Sequence, residues 1–170
     1  SNFFAGTYVL TEGALKEGDF IEIEGGIQGY VSSVGWRSTK IRDRFNNLVL
    51  IPNSKMAESV VTNFYSPETA INILITSGVA YEENLENVEV TVKDTLQQLL
   101  SVSENVANNT QPRFGFSEFG DSNINFWIFM QAKDWSASFQ LKSEIIKAVH
   151  SSFDKKGITI NYPTRRIIKD

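Results

Sequence analysis

Residues 46–67 read NNLVLIPNSKMAESVVTNFYSP, which predicts a strand, a corner, one short helical turn and a second strand. Residues 48–51 are apolar and of types that favour strands. Pro52 has no backbone N–H and a fixed φ, so we expect the first strand to end there. A side-chain oxygen at Asn53 or Ser54 can accept a hydrogen bond from a free N–H at the start of the turn. We therefore expect Asn53 to cap this turn.

Outward from this corner, residues 15–66 predict a compact all-β unit. Residues 20–24 alternate, which gives one apolar face and one mixed face that carries Phe20. The pair Gly25-Gly26 is typical of a tight turn. Gly29, inside the next predicted strand, indicates a bulge or a close approach of another backbone. Five short strands joined by tight turns fit a small barrel.

A basic alternation lies on the strand before residue 46. Its apolar positions are Thr39, Ile41 and Phe45, and its basic positions, with one just upstream, are Arg37, Lys40, Arg42 and Arg44. One interpretation is a strand face exposed to solvent. The other is contact with anionic lipid headgroups, where each basic residue contributes roughly 1 kcal/mol, or with an adjacent subunit. Asp43 dilutes the positive charge of this cluster.

Four short motifs follow one another in the first half of the chain at characteristic spacing. They are Gly18-Asp19, Gly29-Tyr30-Val31, Ile51-Pro52-Asn53 and Asn63-Phe64. In this order they resemble the β-domain of the small-conductance mechanosensitive channel (MscS) family. The resemblance implies an Sm-like barrel over residues 15–66, with Gly18, Asp19, Gly29, Pro52 and Asn53 as its motif residues.

The resemblance also implies what lies at the N-terminus and what the whole protein does. Residues 1–14 would be the end of a pore-lining amphipathic helix, although an apolar chain end of this length also fits a frayed terminus. The helix residues expected to pack against neighbouring subunits are Asn2, Phe3, Ala5 and Gly6. The family implies a homoheptamer in the cell membrane that opens under membrane tension and releases ions and small solutes in hypo-osmotic shock. This chain, which starts without Met, would be a cytoplasmic vestibule fragment, and the preceding part would carry the transmembrane helices.

The second half of the chain, residues 67–162, alternates strand and helix patterns. The predicted order β-α-β-β-α-β is that of a ferredoxin-like unit, and the MscS family has an α/β domain at this position. We expect Asn84 to start the first helix, Ser136 to cap the second and Gly157 to end it. The second helix's expected apolar positions include Phe139, Ile146, Val149 and Phe153, and Ile158 and Ile160 predict a last short strand.

The tail, residues 163–170, reads PTRRIIKD. Thr164, Arg166 and Ile168 alternate with their neighbours, as a strand would, yet a lone strand leaves its backbone groups unpaired. A disordered tail is one interpretation. The MscS resemblance implies the other, in which these residues join the same strand of neighbouring subunits in a small barrel.

The composition excludes several kinds of chemistry. The 170 residues include no cysteine and one histidine, His150, and the net charge is −4. Because no catalytic constellation, phosphate-binding loop or metal-ligand spacing is present, we expect no enzyme activity, cofactor or metal. No stretch of about 18 consecutive apolar residues occurs. The expected partners are other copies of the chain, membrane lipids and permeating ions and solutes, and not nucleic acid. The alternatives, an Sm-like RNA-binding module or a ligand-sensing regulatory domain, have weaker support, because an acidic chain is unfavourable for binding RNA.

Overall fold

A computed structural model describes residues 13–168 of the chain. These residues divide into two compact units, with the boundary between Thr69 and Ala70.

The first unit is an antiparallel sheet with a short helix. Its five strands lie in the order β4-β3-β2-β1-β5, and the helix joins β4 to β5. The elements are β1 (Phe20–Ile23), β2 (Ile27–Val34), β3 (Ser38–Arg42), β4 (Leu48–Pro52), α1 (Asn53–Glu58) and β5 (Val61–Asn63). The predicted all-β unit of five short strands is therefore confirmed.

Glycines shape the hairpin between β1 and β2 and its packing on β3. Gly25 and Gly26 have φ of 99° and 90°, which confirms the predicted tight turn. A Cβ on Gly29 would lie 2.5 Å from the carbonyl oxygen of Arg42, so the predicted close approach is confirmed as well. The irregularity in the β2–β3 register comes later, between Val31 and Ser33.

The core of the first unit is aliphatic, and an aromatic group lies beside it. The core residues are Ile21, Ile23, Val31, Ile41, Ile51 and Met56. Phe20 was expected on a mixed face, but it is 1% exposed. Its ring lies 4.9 Å from that of Tyr30 and 5.7 Å from that of Phe64, centroid to centroid. Tyr30 and Phe64 thus help to bury Phe20, and the alternation at residues 20–24 could not reveal these distant neighbours.

The second unit is a three-stranded antiparallel sheet with two long helices. The sheet order is β6-β8-β7, and the chain order is β-α-β-β-α. The elements are β6 (Ile71–Val79), α2 (Leu85–Val102), β7 (Arg113–Phe119), β8 (Ile124–Ala132) and α3 (Trp135–Lys156).

The last strand predicted for the second unit does not form. Residues 158–160 carry no strand, and a single backbone hydrogen bond, from the N–H of Ala80 to the carbonyl of Thr159 (2.9 Å), joins them to the end of β6. The N–H of Thr159 donates to the Glu83 carboxylate (2.8 Å) and that of Asn161 to the Asn123 side chain (2.9 Å). Side chains therefore take the donors that a strand ladder would need.

The ends of the two helices follow the predictions in part. Asn84 caps α2, because its side chain accepts a hydrogen bond from the N–H of Asn87 at 3.0 Å. Gly157 ends α3 in a left-handed conformation with φ of 69°, as predicted. The cap at the start of α3 is Asp134, whose side chain accepts from the N–H of Ala137 at 2.7 Å, so the prediction for Ser136 is wrong.

The buried stripe of α3 differs from the predicted one. It runs at four-residue intervals through Ala137, Leu141, Ile145, Val149 and Phe153, which pack on the sheet. Of the four apolar positions named from the sequence, Val149 and Phe153 belong to this stripe, whereas Phe139 and Ile146 are 56% and 51% exposed. At about 100° per residue, both positions rotate away from the stripe.

No helix within residues 13–168 is long and apolar enough to cross a membrane.

Candidate functional site

The motif residues Gly18 and Asp19 lie where the described chain enters the first unit. Gly18 has φ of 89°, a conformation that favours glycine. The Asp19 carboxylate accepts hydrogen bonds from the N–H of Lys16 (2.9 Å) and from the side-chain amide of Asn63 (2.8 Å). The same Asn63 amide donates to the carbonyl of Ala14 at 3.0 Å.

This network ties residues 14–19 to the end of β5. Hydrogen bonds to an ionised carboxylate are about twice as strong as neutral ones, so the bond between Asn63 and Asp19 contributes most to this attachment. Asn63 belongs to a motif that the sequence analysis singled out, but its bridging role was not predicted.

The corner after β4 has a different chemistry from the predicted one. Strand β4 ends at Pro52, as expected, but α1 has no side-chain cap, so the prediction that Asn53 caps it is wrong. Asn53 is 1% exposed and directs its amide into the unit. Its Oδ1 accepts from the hydroxyl of Thr39 at 2.9 Å, and its Nδ2 donates to the carbonyl of Gly35 at 2.8 Å. Asn53 therefore joins the corner to the β2–β3 connection.

The basic residues of β3 lie on its outer face. Lys40 and Arg42 are exposed, whereas Thr39 and Ile41 are buried, so the predicted alternation is confirmed for these four positions. Phe45 does not continue it, because β3 ends at Arg42 and Phe45 lies in the following turn, 74% exposed.

That turn is built on Asp43. Its Oδ1 accepts hydrogen bonds from the N–H groups of Phe45 (2.9 Å) and Asn47 (2.8 Å), and Asn46 has φ of 67°. The backbone bond from Asn47 is the main cause that lowers the pKa of Asp43 below its ordinary value. Asp side chains often accept a hydrogen bond from the backbone two residues on, so Asp43, with Asn46-Asn47 after it, could have identified this role.

Asn161 and Thr164, after α3, are attached to the β7–β8 hairpin. The Asn123 side chain accepts from the N–H of Asn161 (2.9 Å) and donates to its carbonyl (3.2 Å). The N–H of Thr164 donates to the hydroxyl of Ser122 at 3.0 Å. Residues 163–168 are exposed and form no strand within the described chain, so the inter-subunit role of Thr164, Arg166 and Ile168 stays a prediction.

Two further sets of predictions concern the N-terminal residues and metal binding. Asn2, Phe3, Ala5 and Gly6 lie outside the described residues. Within residues 13–168, no group of three or more His, Asp or Glu side chains could hold a metal ion. His150 borders a cavity of about 240 Å³ whose lining is mostly aliphatic, including Ile75, Ile145 and Ile160.

Comparison with known proteins gives the family. The model described as "Mechanosensitive ion channel, beta-domain" matches residues 1–66. The model described as "Mechanosensitive ion channel MscS, C-terminal" matches residues 73–160. The chain belongs to the MscS family. The predicted family and the α+β class, an Sm-like β-domain followed by an α/β domain, are thereby confirmed, and the RNA-binding and ligand-sensing alternatives are not favoured.

Relatives within the MscS family are similar over nearly the whole chain. A large-conductance mechanosensitive channel of Methanocaldococcus jannaschii is 30% identical, over 96% of this chain and 46% of its own length. A small-conductance mechanosensitive channel of Helicobacter pylori is 30% identical, over 95% of this chain and 57% of its own. The crystal structure of Helicobacter pylori MscS in a closed state superposes with a TM-score of 0.86 at 27% identity, over 99% of this chain and 64% of that one. The chain spans about half the length of the curated relatives it matches.

Proposed function

We propose that this chain is part of a subunit of a mechanosensitive channel that opens under membrane tension and releases ions and small solutes in hypo-osmotic shock. The observation that carries the proposal is the match of both consecutive units, in order, to the two MscS family models. The structural similarity to Helicobacter pylori MscS over 99% of the chain supports it. Nothing in the described residues calls for a catalytic role.

In this proposal the chain forms the cytoplasmic vestibule of a membrane-embedded homo-oligomer, with seven copies as the family resemblance implies. Asn2, Phe3, Ala5 and Gly6 would belong to the pore-lining helix. The tail residues Thr164, Arg166 and Ile168 would pair with other copies. Residues 163–168 are exposed and form no strand within the described chain, which leaves them available for this role. Pairing with other copies would supply the ladder partners that a strand needs.

The first unit would then be the part that receives force from the membrane. Residues 14–19 lead directly into it, and the Asp19–Asn63 contact of 2.8 Å fastens them to β5. The proposed role of the motif residues Gly18 and Asp19 is to keep this connection short and stiff. Gly29 and Pro52 would keep the sheet compact behind it.

The test is electrophysiological. The longer protein that contains this chain, reconstituted in giant liposomes, should give currents that rise with applied suction. It should also improve survival of hypo-osmotic shock in bacteria that lack their own mechanosensitive channels. Absence of pressure-dependent current up to membrane rupture, in protein shown to be inserted and folded, would overturn the proposal.

The assembly is tested separately by light scattering coupled to chromatography in detergent. We expect the mass of a heptamer for the longer protein, and a looser assembly when residues 163–170 are deleted. A stable monomer with or without the tail would contradict the proposed oligomer.

A further inference from the structure

One outer surface of the first unit combines exposed cations with exposed apolar side chains. In the β3–β4 register, Lys40 is opposite Leu50 and Arg42 is opposite Leu48, so each pair projects from the same face of the sheet. All four side chains are exposed, with Leu48 at 54% and Leu50 at 59%. We call these four residues the β3–β4 face.

Aromatic rings flank this face at both ends of β3. Trp36 precedes the strand and is 68% exposed, and Phe45 follows it at 74%. Each ring has an arginine beside it: the guanidinium of Arg37 lies 5.3 Å from the Trp36 ring centroid, and that of Arg44 lies 5.3 Å from the Phe45 ring centroid. Tryptophan with a neighbouring cation is typical of the boundary between lipid headgroups and acyl chains.

The charge of this region is opposite to that of the chain. Residues 36–50 contain four basic residues and one carboxylate, Asp43, within a protein whose net charge is −4. In the described part of the chain none of the four basic side chains forms an ion pair with a carboxylate, and Arg42 donates instead to the neutral side chain of Asn46 at 2.7 Å. Asp43 is therefore the only carboxylate within residues 36–50 that offsets this positive charge.

We propose that the β3–β4 face, with Trp36 and Phe45, binds the surface of an anionic lipid bilayer. The cations attract the lipid phosphates. The leucine and aromatic side chains are buried at the boundary between headgroups and acyl chains, which removes their apolar surface from water. Exposed aliphatic side chains beside the cations suit acyl chains, whereas a chain with a net charge of −4 is unfavourable for binding RNA. This inference rests on the proposed function, because a channel subunit keeps its first unit close to a membrane.

The experiment measures how much of the 170-residue chain binds to vesicles of phosphatidylcholine with about 30% phosphatidylglycerol. Bound and free protein are separated by sedimenting the vesicles at low salt. The test variant is K40Q/R42Q, and the matched control is K142Q/K147Q, which removes the same charge from exposed positions of α3. Each basic residue at an anionic surface changes partitioning about fivefold, so K40Q/R42Q should bind about 25-fold more weakly and the control only slightly. Residues 1–12 are present in every variant, so any contribution from them cancels.

A second variant separates insertion from charge attraction. Trp36→Ala should weaken binding at both low and high salt, because burial of an apolar ring is not screened by ions. Its far-UV circular dichroism spectrum should match that of the parent chain, since the ring is exposed. Equal vesicle binding by K40Q/R42Q and K142Q/K147Q would overturn the proposal.

Other occupants of the face have their own signatures, and each overturns the proposal. A fall in molar mass for K40Q/R42Q without vesicles would identify a second copy of the chain. Salt-sensitive binding of oligouridine that competes with vesicles would identify RNA.

Tension-gated current in the longer protein together with unchanged vesicle binding by K40Q/R42Q would refute this inference alone. Loss of binding in K40Q/R42Q, in a protein that gives no tension-gated current, would refute the channel function alone.

Discussion

Replacing Asn53 by alanine tests whether this side chain serves the corner by capping or by holding Thr39. In the structure its amide bonds the Thr39 hydroxyl at 2.9 Å and the Gly35 carbonyl at 2.8 Å, and both Asn53 and Thr39 are buried. The substitution removes both bonds and leaves the Thr39 hydroxyl without its partner. The Gly35 carbonyl belongs to an exposed residue and can bond water instead.

The expected loss of stability follows from these differences in exposure. An unsatisfied buried hydroxyl costs about 1–3 kcal/mol, and the lost bond to a carbonyl that can be rehydrated costs about 0.5–1.5 kcal/mol. Asn53→Ala should therefore destabilise the first unit by about 1.5–4.5 kcal/mol. Loss of a helix cap would cost only about 1 kcal/mol.

The assay is urea unfolding of the 170-residue chain, with hydrogen exchange of β3 and β4 to report the first unit by itself. Ser54→Ala, one position further along α1, is the matched control and should change stability by less than about 0.5 kcal/mol. Thr39→Val removes the hydroxyl that Asn53→Ala leaves unpaired, so the double variant should be no less stable than Asn53→Ala alone. Strictly additive losses, or a loss of about 1 kcal/mol or less for Asn53→Ala, would refute the reasoning.

Three further substitutions test other contacts. Gly29→Ala places a methyl group 2.5 Å from the Arg42 carbonyl oxygen. Thermal unfolding should show that the free energy of unfolding of the first unit falls by about 1–3 kcal/mol. An unchanged midpoint would mean that β2 and β3 can move apart without cost. The lowered pKa of Asp43 means that its contribution to stability is present above its ordinary pKa of 3.8 and disappears as pH falls through the lowered value. Unfolding of Asp43→Asn should therefore depend less on pH in this acid range than that of the parent chain, and identical profiles would contradict the turn bonds. Asn123→Ala removes both bonds to Asn161, so residues 158–164 should exchange hydrogen and be cleaved by protease faster; unchanged protection would show that other contacts hold the segment.

Local sequence patterns predicted most of the strands, the start of α2 and the end of α3. Gly25-Gly26, Asn84 and Gly157 each act through their own backbone or the next turn, so their roles do not depend on distant residues. The motif order then placed the first unit in a known family. The alternation at Thr39 and Ile41 also succeeded, because one face of β3 is buried in a core made by neighbouring strands.

Apart from the cap of α3, where Asp134 lies only two residues from Ser136, the errors arose where residues distant in sequence decide the outcome. An asparagine after a Pro corner has the chemistry of a helix cap, and only the position of Thr39 turns Asn53 inward. Residues 158–160 have a strand-like composition, but Glu83 and Asn123 take their donors. Phe139 and Ile146 are apolar and sit at helix positions that the sheet does not reach. Which copy, lipid or solvent covers an exposed side chain is not encoded in local periodicity at all.

The attachment of the tail to the hairpin also has an entropic consequence. An extended segment that becomes ordered only on binding loses about 1–2 kcal/mol of backbone conformational entropy per residue. Asn123 and Ser122 already fix Asn161 and Thr164, so folding of the unit itself has ordered the chain this far. In the proposed oligomer, each copy would begin its pairing segment at the same point of the β7–β8 hairpin, so less backbone would remain to be ordered on binding. A short, weakly interacting segment can then assemble with an affinity that its few contacts would not provide on a freely moving chain.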